Sequence, residues 1–551
     1  MFIIKKIDYI FISFFFAVLI FYQVIFNDLL PVQADTRTHL RWAFQFNEAI
    51  LDGIWLPRWT YASHGGLGDP TFLFYQPLLY YLTAAINFFI KDIKASLLFS
   101  ILLSNIILGL SFYNLFIKYT KKIYSLFCML CVQILPIYFF LFAYHGSFPW
   151  VFASPFVFLL VYQSIHTNTK PHLIALWTFL LILSHILSAL MIIIVLSVYK
   201  IFSFLNKPSD FKSHALWVIG LGCGLILSAF YLFPAITQQH LINPDGWIDD
   251  PTLDWRRAFA FPLFTYIQYG FRWFAIQYPF PLLATLMTIS SLILVGISIS
   301  SPISQQIKKI GFLALICLFF SSELAYPFYA HISHFEIIQW PYRFVMPASI
   351  FALAAVLLAL SQKINDKFYL YFKFLFYFLL IIHFIFFIHL QINLAKEGKE
   401  IPDITRIMKG YFGQPEYNIT STDLYWKKYI EQGAWTGECM RNNVYCYDEI
   451  KRTHQWSASI TTNKNIVLKA PIFYFPAWQV FVNGIITEFK ADDNTGLILI
   501  PLQEGKNEIL IKWRLLTAER YGIYITLFGF FMLCLITILY TQKKKFYPSI
   551  A

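Results

Sequence analysis

Residues 35–81 read DTRTHLRWAFQFNEAILDGIWLPRWTYASHGGLGDPTFLFYQPLLYY, just after an apolar run, residues 9–26, that is long enough to cross a bilayer. The stretch combines an acid, Asp35, a histidine four residues on, His39, several Arg and Trp, a glycine-rich turn and an aromatic segment interrupted by Pro77. Groups of this kind are costly in hydrocarbon and face protein or water where they occur in membrane proteins. A long polar and aromatic loop held against an apolar body is a common seat of function. The fold therefore turns on whether the rest of the chain is dissolved in lipid.

Composition says that it is. Of 551 residues 58% are hydrophobic and only 13% charged, where a soluble chain carries roughly 25% charged residues. The net charge is +12, but the basic residues stand in short clusters between apolar runs. That is a positive-inside pattern, and no nucleic-acid partner is expected. Lys5 and Lys6 set the N-terminus in the cytoplasm, and the run after them exceeds a signal-peptide core, so a retained anchor is expected. If residues 71–90 lie along the outer interface instead of crossing, every later basic cluster falls inside. Runs at 95–117, 123–142, 150–165, 215–233, 280–299, 311–325, 344–360, 369–389 and 523–540 then alternate in direction. The run 172–204 is too long for one span and is read as two short helices hinged near Ser184-His185. The result is a polytopic α-helical membrane protein of about twelve spans, with both termini cytoplasmic.

Residues 391–520 form the one sizeable soluble segment. Its second half alternates apolar and polar residues strand by strand, and Asn483-Gly484 marks a type I′ hairpin turn. The expected organisation is a helical membrane domain over residues 1–390 with its first outer loop at 29–94. An extracytoplasmic β-sandwich at 391–521 and a last helix with a basic tail at 522–551 follow. Cys439 and Cys446, close in sequence in that domain, either bridge in an oxidising compartment or stay as free thiols.

Asp35 opens a helical pattern. It reads either as a surface cap or as a carboxylate that accepts a proton from a hydroxyl or ligates a divalent metal. His39 lies one turn on, on the same face. His145 sits in a short second outer loop, either near Asp35 or capping a helix. Arg37, Arg41, Arg58 and Arg343 fall near the outer interface, where they meet lipid headgroups or grip a phosphate through the guanidinium fork. Arg343, at the start of a span after Trp340-Pro341-Tyr342, ranks first. Tyr75 stands in the aromatic segment as a substrate contact.

The first loop with Asp35 after the first helix, the Pro57-Arg58-Trp59 step and the segment 74–81 resemble C-type (GT-C) membrane glycosyltransferases. Gln339-Trp340-Pro341-Tyr342-Arg343-Phe344 and the hairpin around Pro476, Trp478 and Asn483-Gly484 are similar to late segments of the bacterial 6-pyruvoyl-tetrahydropterin synthase-related membrane family. The resemblance implies transfer from a polyprenyl-phosphate-linked sugar to a lipid or glycan acceptor, with membrane lipids as further partners, at the outer face of a bacterial inner membrane. Asp35 matches the first-loop acid of those enzymes. His145 stands where many carry a second acid, which leaves a divalent metal ion and a metal-independent route both open. Nothing in the chain offers a soluble zinc–histidine site, so no pterin is expected. Two other classes fit the composition: a non-catalytic envelope assembly or glycan-binding protein, and a lipid or polysaccharide flippase, although no paired repeats or midplane charges speak for the latter.

Overall fold

The structure, a computed structural model, describes residues 8–21, 29–30, 35–166, 169–243, 254–260, 288–289, 304–333, 335–361 and 446–546, with scattered positions between 370 and 419. The helices that position the site are α1 (Asp8–Ile20), α2 (Asp35–Leu51), α3 (Leu78–Ile90), α4 (Ile93–Phe116), α5 (Lys122–Gln133), α6 (Phe148–Ile165), α7 (Pro171–Ser184), α8 (Ile186–Asn206), α9 (Phe211–Leu227), α10 (Ser304–Ser321), α11 (Val345–Leu360) and α12 (Thr517–Phe546). Among the described residues seven helical stretches are long and apolar enough to cross a membrane: Ile93–Phe116, Lys122–Ala143, Phe148–Ile165, Ile186–Asn206, Pro208–Leu227, Pro341–Leu360 and Thr517–Tyr540. Helices α1, α3 and α7 are apolar but shorter. Of the expected spans, 280–299 falls almost wholly outside the described residues, and 369–389 is described only at scattered helical positions.

Local chemistry explains the breaks. His185 ends α7 and begins α8 in an extended conformation, and its Nδ1 lies 3.2 Å from the Ser188 amide and 2.7 Å from the Ser188 hydroxyl. That cap satisfies the start of α8 in place of a continuous helix. Residues 71–90 form two pieces, Thr71–Phe74 and α3, parted by Pro77. Helix α3 is about 20 Å long at 1.5 Å per residue, short of the hydrocarbon thickness. It runs back along α4, with the Thr83 and Ser100 hydroxyls 3.2 Å apart and the Ser96 hydroxyl 3.3 Å from Asn87 Oδ1.

The C-terminal region is a two-sheet sandwich. Strands β1 (Cys446–Arg452), β2 (Gln455–Thr462), β3 (Ile466–Phe473), β4 (Trp478–Val482), β5 (Ile485–Thr487), β6 (Lys490–Ala491), β7 (Leu497–Leu502) and β8 (Gly505–Trp513) pair antiparallel in the orders β1-β2-β8-β4-β5 and β3-β7-β6. Val482 pairs with Ile485 across Asn483-Gly484, whose φ values of 52° and 78° are those the turn demands. Trp456, Ala458, Ile460, Leu468, Val480, Ile500 and Ile511 fill one core from both sheets. Strands β1 and β2 were not legible in the sequence. In β2 the inward positions Trp456, Ala458 and Ile460 alternate with polar residues, but small side chains blur the signal.

The first loop is built into this sandwich. Trp59 joins its core, 5.1 Å from Trp478 and 5.6 Å from Trp513 between ring centroids. Gly68 has φ 81°, and a Cβ there would lie 2.0 Å from the Trp59 indole nitrogen, so only glycine closes the turn over that ring. The Leu67 carbonyl accepts from the Phe473 amide at 3.2 Å, and Lys451 donates to the Gly66 carbonyl. The Asp52 carboxylate accepts from the amide and hydroxyl of Thr453, each at 2.9 Å. Loop and sandwich thus lie on one side of the helical body.

His454 Nε2 accepts from the amides of Arg58 and Trp59 at 3.0 and 3.2 Å. Burial, then the Arg58 charge, pull its pKa down to about 3. A histidine held neutral in the fold but free to protonate when unfolded makes stability full above about pH 6.5 and progressively lost as pH falls from there toward 3. The docking of loop on sandwich should weaken by about 1.4 kcal/mol per pH unit in that window. Thermal unfolding of the full chain between pH 7 and 4 would show it, and His454→Gln should flatten the slope. An unchanged slope in the variant would contradict this account.

Candidate functional site

Three stretches far apart in sequence meet at one end of the helical body. The first is the start of α2, where Asp35 is half-exposed and Thr36 buried. The second is the turn after α5. The chain runs on through Pro136–Phe140 and a wide turn, Leu141–His145, then reverses at Gly146 into α6. Gly146 has φ 70°, and a Cβ there would stand 2.4 Å from Thr36 Oγ1 and 2.6 Å from the Thr36 amide nitrogen. A glycine is what lets this turn press onto the start of α2. That approach brings His145 Nδ1 to 3.7 Å from Asp35 Oδ2, and the same nitrogen lies 2.5 Å from the Ser147 hydroxyl.

The third stretch is the entry to α11. Gln339 takes φ 60° and the turn Pro341–Phe344 leads into the helix. The Trp340 ring stands edge-on to His145 at 5.6 Å. On Trp340 rests the guanidinium of Arg343, 4.3 Å from the ring centroid and 5.8 Å from that of Trp150, a cation held between aromatic faces. Arg343 is buried, and its Nη1 and Nη2 donate to the Ile338 carbonyl at 2.7 Å and to Gln339 Oε1 at 2.8 Å. His185 lies parallel to Trp150 at 6.3 Å. Beneath this layer a narrow apolar cavity opens between α6, α8 and α11, lined by Trp150, Ser154, Val157, Ser188, Met191, Ile192, Met346, Pro347 and Ile350.

The other residues singled out in the sequence are distributed unevenly around this centre. His39 is buried in a box of Trp42, Tyr75, Tyr80 and Phe148, with its Nδ1 2.8 Å from the Tyr80 hydroxyl. Burial first, and then the neighbouring His145, lower its pKa to about 3, so it is neutral at any ordinary pH. Its place is to support the α2 face beside Asp35. Tyr75 is half-buried against Trp42 at 4.5 Å. Arg37 is exposed and Arg41 half-buried on α2.

Arg58 belongs elsewhere. It is 1% exposed, pairs with Glu519 at 2.8 Å and donates to the carbonyls of Phe72 and Phe230 at 3.3 and 2.9 Å. It ties the first loop to the start of α12, and its donors are spent on that task. Cys439 lies outside the described residues, as does the side chain of Cys446. Trp340, Trp150 and Gly146, which join the three stretches, were missed as site residues. The available signal was an indole three residues before an arginine at a helix start.

Among the described residues no group of three or more His, Cys, Asp or Glu side chains is placed to hold a metal ion. Asp35 and His145 alone fall short of a protein-built metal cage. What the arrangement offers is a carboxylate beside an imidazole and an aromatic-clamped guanidinium, set over an apolar cavity. No curated protein matches the chain. A family model matches residues 72–394, a range that includes His145, Trp340 and Arg343 and begins after Asp35. The chain belongs to the 6-pyruvoyl-tetrahydropterin synthase-related domain family, a family of membrane proteins.

Proposed function

We propose that the chain is a C-type membrane glycosyltransferase. It moves a sugar from a polyprenyl-phosphate donor to a lipid or cell-envelope glycan acceptor at the outer face of a bacterial inner membrane. The observation that carries this reading is the meeting of Asp35, His145 and Arg343 at one end of the helical body. In this reading the outer half of the bundle holds the prenyl chain between spans, and Arg343 faces the donor phosphate. Asp35, oriented by His145, accepts the proton of the acceptor hydroxyl as its oxygen bonds to the anomeric carbon. The bond from that carbon to the phosphate oxygen breaks with its electron pair on polyprenyl phosphate, whose charge Arg343 offsets. Attack opposite the leaving group inverts the anomeric centre. The first loop and the sandwich stand on the outer side, where the sandwich supports the loop that carries Asp35.

Arg343→Lys keeps a charge but loses the planar fork and its aromatic seat. Donor KM should rise and kcat fall together, with kcat/KM lower by about tenfold or more, because a phosphate grip acts in the ground and transition states alike. Sugar transfer from labelled polyprenyl phosphate in membranes at matched expression measures both. Unaltered KM and kcat would remove Arg343 from the reaction.

A further inference from the structure

The end of the helical body remote from Asp35 gathers basic groups from several helices. Helix α6 runs about 27 Å from the His145 turn to Ile165. Lys309, in the second turn of α10, donates to the Ile165 carbonyl at 3.3 Å. Lys118, just past α4, donates to the Tyr162 hydroxyl at 2.5 Å, and the Tyr162 ring stands 5.7 Å edge-on from His166. Lys170 is the residue before α7. Burial, with the charges of Lys118, Lys170 and Lys309, holds His166 below its ordinary range, so these groups share one field.

Lys200, near the end of α8, is the innermost of them at 7% exposure. Among the described residues its ammonium has neither a carboxylate partner nor a hydrogen-bond acceptor. It stands 5.8 Å from the ring of Trp217, whose indole nitrogen donates to the Ser164 hydroxyl at 3.0 Å. Lys309 and Asp210 are close enough to act on it electrostatically. Asp210 is set against Lys200 and Lys309, and it is shared with Lys207 at 3.3 Å.

A half-buried cluster of cations that share a counter-charge is unfavourable, because a low-dielectric surround strengthens the repulsion and salt screens it poorly. An anion presenting several oxygens would offset it, and lysine is well suited to phosphate as a compact charge with three donors. The partial positive charge at the start of α7 adds to the same field. The cluster lies where spanning helices α4, α6 and α8 end, at the depth where headgroups meet basic pockets between helices.

We infer that this cluster binds a phosphate-bearing anion, a lipid headgroup or free phosphate, with Lys200 and Lys309 as inner ligands and Lys118 and Lys170 at the mouth. The site is separate from the Asp35–Arg343 end and stands whether or not the transferase reading holds.

The test uses the full chain in nanodiscs. Native mass spectrometry compares retention of phosphatidylglycerol with that of phosphatidylcholine, and thermal shift follows added inorganic phosphate in discs of phosphatidylcholine alone. Wild type should bind at least one of the two phosphates saturably, and Lys200→Met/Lys309→Met should weaken that binding by about tenfold or more. The exposed Lys91→Ala, at the other end of α4, should leave it unchanged. Preferential retention of phosphatidylglycerol assigns a lipid ligand, and stabilisation by inorganic phosphate alone assigns a soluble one. Should the inner double variant fail to fold, Lys118→Gln/Lys170→Gln at the mouth carries the same expectation. Equal binding by wild type and the folded variants, or no saturable binding of either phosphate by wild type, would overturn the site.

Discussion

Asp35→Asn is expected to lower sugar transfer by about 10²–10⁴-fold, the usual cost of losing a general base. The substitution preserves size and hydrogen bonding, and Asp35 sits half-exposed at the first position of α2 with His145 Nδ1 3.7 Å away. Folding should therefore survive, and so should donor binding, which in the proposed reading rests on Arg343 and the outer half of the bundle. The measurement is turnover of labelled donor in membranes that carry each variant at equal level, paired with donor retention. His39→Phe offers a useful contrast. It removes the contact with Tyr80 but no reacting group, so it should cost stability more than the intrinsic rate. Normal turnover by Asp35→Asn would leave the residue as a helix cap, and a non-catalytic envelope role would then lead.

The largest expected loss of stability lies away from that site. Arg58→Met strands Glu519, which is fully buried and whose second oxygen accepts from the Leu516 amide at 2.8 Å at the start of α12. Leaving one partner of a buried pair unpaired costs about 3–5 kcal/mol. Three parts of the chain share this pair: the first loop, the Phe230 carbonyl before α12 docks, and α12 itself. The variant should expose the 52–74 loop to protease and lower the unfolding temperature. Arg58→Met/Glu519→Met should be less destabilised than Arg58→Met alone, because no bare charge remains. A single variant within about 1 kcal/mol of wild type would show that water reaches the pair and that the clamp is loose.

What the sequence disclosed, and what it hid, follows from the range of each signal. The break at His185 and the turn at Asn483-Gly484 are local, set by capping and by positive φ, and both stand where the residues placed them. Residue type also marked Asp35, His145 and Arg343 before any geometry was known. His145 near Asp35 is one of the two placements its loop allows, but the junction with Arg343 is not legible, because it depends on Gly146 lacking a Cβ against Thr36 and on Trp340 filling the space between imidazole and guanidinium. Residue type and position offer Arg58 as a headgroup or phosphate contact, whereas its partner Glu519 lies at the far end of the chain and no local pattern announces it. His39 shared a helix face with Asp35, yet packing decided its state: an aromatic box leaves it neutral and turned toward Tyr80. Strand β2 was hidden for a different reason, since Ala458 and small polar neighbours carry too little hydrophobic contrast for a period of two to stand out.

The most direct test of the central claim is transfer by the purified chain in liposomes that hold a radiolabelled polyprenyl-phosphate sugar and an extract of envelope acceptors. The account predicts that label moves to the acceptor fraction as free polyprenyl phosphate accumulates in equal amount, and that Asp35→Asn abolishes both. Intact donor throughout, with wild-type protein shown to be folded and to retain donor, would contradict it.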